Sequence, residues 1–120
     1  MNRSWQRWIL AAAIVFSAAL FLNHPALAGG KQTLTGEVGD AMCGRKHMEG
    51  SPADCTRACV GHGSKYALVI GDKMYILETS DKSVLALLDQ QAGKSVTITG
   101  TVTSDPKGDS IAVSTAAAAK

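Results

Sequence analysis

The residue types that could do chemistry gather in one stretch, Cys43 to His62, reading C-G-R-K-H-M-E-G-S-P-A-D-C-T-R-A-C-V-G-H. It holds all three cysteines of the chain and two of its three histidines, His47 and His62. Cys43 and His47 stand four positions apart, and so do Cys55 and Cys59. On a helix that spacing puts both members of a pair on one face, with Cβ atoms about 5–6 Å apart. Three thiolates and one imidazole make a full tetrahedral set for zinc. Thiolates helped by Met42 or Met48 would also suit Cu(I). The metal-ligand set read from spacing is therefore Cys43, His47, Cys55 and Cys59. Met42, Met48 and His62 are peripheral donors; Gly61 interrupts the stripe before His62 is reached. Asp40 and Glu49 flank the set and read as outer groups that orient His47 or Arg45.

Two other chemistries use the same cysteines. Cys43 bridged to Cys55 or Cys59 would pin the segment by a disulfide, contributing about 2–4 kcal/mol and leaving one thiol unused. Thiol redox chemistry is a third reading, against which no C-x-x-C pair is present. The C-x-x-C-H signature of covalent c-type haem is also absent. No Ser/His/Asp set, phosphate-binding glycine loop or carboxylate pair stands out, so the expectation is a binding domain and not an enzyme.

The cysteine segment needs a scaffold, and a leader precedes that scaffold. Arg3 and Arg7, an apolar run from Ile9 to Leu22 and Ala26-Leu27-Ala28 together read as a cleavable signal peptide over 1–28. The run is too short to span a bilayer as a helix. Removing it takes both tryptophans and both phenylalanines and leaves ten basic against ten acidic residues, because only Arg3 and Arg7 of the 12 Lys+Arg are lost. A neutral domain without a basic stripe is a poor match for nucleic acid or an anionic membrane. The expected location is periplasmic or secreted, where disulfides are permitted. The expected partners are a metal ion first and a protein second, with no membrane contact after cleavage.

After a polar lead-in at 29–32, the domain reads from 33 to 115. Thr33–Asp40 alternates as a half-buried strand with two glycines that bend it. Ser51 or Asp54 can cap a short helix from Cys55 to Val60, ended by Gly61 and Gly63. Tyr66–Ile70 and Met74–Leu77 form a hairpin over Gly71-Asp72-Lys73. Ser80–Gln91 is an amphipathic helix with Val84, Leu87 and Leu88 on its apolar face, capped by Thr79 or Ser80. Ser95–Ser104 alternates around Gly100, and Ser110–Thr115 is the last strand before a frayed tail at 116–120. Leu68, Ile76, Leu88, Val96, Ile98 and Ile111 belong to the expected core. The order predicts a mainly β fold. It is a small OB-like five-stranded barrel, with one helix between strands 3 and 4 and a Cys-rich helical insertion between strands 1 and 2.

These residues also carry a resemblance. Gly36, Val38, Asp40, Cys43, Gly44 and His47, then Cys55, Thr56, Cys59 and Val60, then Gly63, Lys65, Tyr66, Leu68 and Val69 fit a pattern. It is G-x-V-x-D-x-x-C-G-x-x-H, C-T-x-x-C-V and G-x-K-Y-x-L-V. The chain resembles a family of small exported bacterial OB-like domains of unknown function that carry this motif. The resemblance supports the site, implies no activity, and leaves His62 outside the motif.

Overall fold

The computed structural model describes residues 30–44 and 50–120. The expected leader over 1–28, and Arg45, His47, Met48 and Glu49, lie outside the described residues.

Five strands close a barrel in the order β1-β2-β3-β5-β4: β1 Lys31–Asp40, β2 Tyr66–Ile70, β3 Lys73–Glu78, β4 Ser95–Asp105 and β5 Gly108–Ala118. Helix α1, Pro52–Gly61, lies between β1 and β2, and α2, Lys82–Gln90, between β3 and β4. All neighbouring strands are antiparallel except β3 and β5, which run parallel. This is the OB-like arrangement expected from the sequence.

β1 belongs to both ends of the sheet. From Lys31 to Glu37 it pairs with β4, and from Glu37 to Asp40 with β2. Gly36 marks the change of partner. A Cβ there would lie 2.6 Å from the Val69 carbonyl oxygen, so only glycine lets the strands approach. On the exposed side Thr33 and Thr35 share 3.0 Å hydroxyl hydrogen bonds with Thr99 and Thr97. On the inner side Val38, Leu68, Leu88, Val96, Ile98 and Ile111 are almost wholly buried. α2 adds Val84 and Leu88 to that core, while Leu87 is half-buried.

Four details differ from the sequence reading. Ile76 is half-buried and Leu77 takes its place in the core. The register explains this: Leu68 faces Tyr75, and directly opposed residues share a face, so Tyr75 and Leu77 point inward. Lys31 and Gln32 are not a lead-in but pair with Thr101 and Gly100. The tail does not fray up to Ala118, because Ala116, Ala117 and Ala118 pair with Ile98, Thr97 and Val96. Ladder hydrogen bonds hold these alanines where side-chain pattern carried no signal.

The fourth difference is the cap of α2. Asp81 is the N-cap, its Oδ1 accepting from the Ser83 and Val84 amides at 2.8 and 3.4 Å and from the Ser83 hydroxyl at 2.6 Å. These bonds, the Ser83 hydroxyl first, hold the Asp81 carboxyl below the usual range. A lowered pKa means stability that is present above the ordinary carboxylate pKa and lost as acid protonates the group. Asp81→Ala is expected to lower the urea midpoint at neutral pH and to match wild type in strong acid. Urea melts at both pH values check it. Among the described residues no helix is long and apolar enough to cross a membrane.

Candidate metal centre

Asp40 ends β1 and sets the geometry of the turn after it. Its side chain is fully buried. Oδ2 accepts from the Met42 amide at 3.0 Å and the Cys43 amide at 2.9 Å. The Gly44 amide donates to the Asp40 carbonyl at 2.9 Å, and Gly44 sits at φ +53°. An aspartate that bonds amides two and three residues ahead bends the chain into an Asx turn. The turn brings the Cys43 side chain back beside the carboxylate.

α1 supplies the other two thiols. Ser51 caps it, Oγ accepting from the Asp54 amide at 3.2 Å, and Pro52 occupies the first turn, where its missing amide hydrogen costs nothing. The helix therefore starts before Cys55, and Cys55 and Cys59 fall one turn apart on one face. Its N-terminus rests on Gly93, where a Cβ would lie 2.9 Å from the Ala53 nitrogen. Arg57 donates to the Asp89 carbonyl at the end of α2, from Nε at 3.1 Å and Nη2 at 2.8 Å. α1 is thus docked onto α2 and the chain beyond it.

The result is a cluster of one carboxylate and three thiols. One ligand atom each from Asp40, Cys43, Cys55 and Cys59 lies within 4.8 Å of all the others. All three cysteines are free thiols and half-buried. Cys43 and Cys59 Sγ are 3.6 Å apart. A tetrahedral zinc site with arms of about 2.3 Å has sulfur–sulfur edges of about 3.8 Å, so this pair already stands near that spacing. The hydrogen bond with Cys43, burial and the negative charge of Asp40 push the Cys59 thiol up to about 12. Packing anionic donors together opposes their ionisation, and a cation is what relieves it.

Asp40 carries a second mark. Its Oδ1 is buried and has no hydrogen-bond partner. Buried carboxylate oxygens without a partner are costly, so each one calls for an explanation. An ion among the sulfurs would supply one.

The three cysteines of the expected ligand set are thus together. His47, with Met48 and Glu49, lies outside the described residues. His62 is the exposed C-cap of α1 and is not among the clustered groups. Met42 is 71% exposed. Asp40, read from the sequence as an outer group, has its carboxylate among the sulfurs. The signal for this is the D-x-x-C spacing at a strand end, which an Asx turn converts into contact. Comparison with family models, curated proteins and solved structures gave no match.

Proposed function

We propose that this chain is an exported small binding domain whose Cys43, Cys55 and Cys59 hold a soft metal ion, zinc or copper, as a structural, trafficking or sensing module and not as an enzyme. The observation that carries the reading is the convergence of three free thiols and a buried carboxylate within 4.8 Å. Two of the thiols come from α1 and one from the turn after β1, so the ion would join the insertion to the barrel. Three thiolates leave one position of a tetrahedron open, and the chain offers Asp40 and His47 for it. The export part of the reading is supported by the A-L-A at 26–28 behind an apolar run.

The test is metal content together with thiol count. Protein isolated from its own compartment is expected to carry one ion per chain by native mass spectrometry. After chelation under denaturing conditions it is expected to show three reactive thiols. No ion and a single reactive thiol would instead identify a disulfide-stapled binding module.

A further inference from the structure

We infer that Asp40 is the fourth ligand of this site, making it a Cys3Asp centre that selects Zn(II) over Cu(I). The inference rests on the metal reading above and deepens it.

Three features of Asp40 point to ligation. Its side chain is fully buried beside the three thiols. Its Oδ2 is already bound by the Met42 and Cys43 amides, which fixes the orientation of the group. Its Oδ1 is the oxygen left with no partner. A metal-bound carboxylate commonly has this division, with one oxygen on the ion and the other held by amide hydrogens. The Cys43 amide links the two roles, because it belongs to a ligand and anchors the ligand beside it. Four donors from Asp40, Cys43, Cys55 and Cys59 complete a tetrahedron without a histidine.

The donor chemistry then decides between metals. Cu(I) is soft and is satisfied by thiolates alone. A carboxylate oxygen adds nothing for it. Zn(II) is borderline, takes four ligands and accepts carboxylate oxygen at about 2.0–2.2 Å alongside sulfur at about 2.3 Å. The carboxylate should therefore matter for Zn(II) and be indifferent for Cu(I).

The experiment compares the full exported protein with Asp40→Asn and His47→Ala, each reduced and stripped with chelator. Each is titrated with Zn(II), and with Cu(I) without oxygen. Asparagine keeps an oxygen to accept from the Met42 and Cys43 amides, so the turn is retained, but it lacks the anionic donor. Asp40→Asn is expected to lose about 100-fold or more in Zn(II) affinity, since even groups outside the ligand shell contribute about 10–100-fold. Its Cu(I) affinity should not change, and circular dichroism of the variant checks that it is folded. His47→Ala should bind Zn(II) like wild type. X-ray absorption of the Zn(II)-loaded wild type should show three sulfurs and one oxygen, without the outer-shell scattering of imidazole. That measurement holds whether or not the variant folds. Unchanged Zn(II) binding in Asp40→Asn, or imidazole scattering in wild type, overturns the Cys3Asp assignment while the metal reading stands. A wild type that binds neither ion defeats the metal reading itself.

Discussion

Serine in place of Cys43, Cys55 or Cys59 is expected to lower metal affinity on the order of 100- to 1000-fold, because a serine hydroxyl does not ionise at neutral pH and cannot act as an anionic donor. The three single variants should resemble one another, since the three thiols belong to one cluster. This pattern separates the metal site from a disulfide, in which two cysteines would behave as a pair and the third would be silent. Cys59 contributes to the pH dependence, because its thiol is pushed up to about 12 by its bond with Cys43, by burial and by the Asp40 charge. At neutral pH it carries its proton, and capturing the ion must release it. Each proton released makes affinity about tenfold weaker per unit fall in pH, so from pH 8 to pH 6 the Cys59 proton alone weakens binding about 100-fold. In the metal-free protein the sign is different. A raised thiol pKa favours the fold below the ordinary value of 9.0, and that contribution is lost as pH rises toward 12. Isothermal titration in buffers of different ionisation enthalpy counts the protons and gives the affinities.

Gly100→Val is expected to destabilise the barrel by about 3 kcal/mol or more, a large share of what a small domain has. A Cβ at Gly100 would lie 2.3 Å from the Ala112 carbonyl oxygen and 2.7 Å from Ile111 Cγ2. Both neighbours belong to β5, and the β4–β5 register shifts between Thr99 and Gly100. The obstacle includes backbone held by the ladder, so it cannot swing aside as a side-chain tip would. Forcing a branched side chain into such a contact costs about 1–3 kcal/mol for overpacking and more where backbone must move. A small domain has about 5–15 kcal/mol in total. Gly61→Ala is the matched control, having open space around it and a helical position. It should be neutral or stabilising, by up to about 1 kcal/mol. Guanidinium melts of the two variants check the contrast, and equal midpoints would refute it.

Much of this architecture was legible because its signals are local. The β4 alternation of Val96 and Ile98 with threonines, and the hairpin turn at Gly71, name their elements directly. The cysteine spacing of α1 likewise foretold that Cys55 and Cys59 share a face. What escaped depends on partners distant in sequence. The alanines of β5 have no pattern of their own and are ordered by Val96, Thr97 and Ile98. Leu77 displaces Ile76 because Tyr75 is opposed to Leu68, a register that no reading of β3 alone contains. Asp40 was visible as a flanking charge. Its burial needed both the Asx turn and α1 docked over it, and neither is written in the cysteine spacing.

The docking of α1 gives the domain an optical property. Asp89 receives Arg57 through its backbone carbonyl, with Arg57 Nε also 3.5 Å from its Oδ1. The same Oδ1 accepts from the Tyr66 hydroxyl at 3.4 Å. Burial, then the Asp89 charge and hydrogen bond, raises the Tyr66 pKa, while Arg57 opposes the rise. Beyond residue 28 the only aromatic residues are Tyr66 and Tyr75. A phenol bonded to a carboxylate has altered absorption and quenched emission. Any loosening of α1 carries Arg57 away from Asp89 and changes the field at Tyr66. In a chain cleaved after Ala28, tyrosine emission is therefore expected to track the docking of the cysteine helix without an added dye.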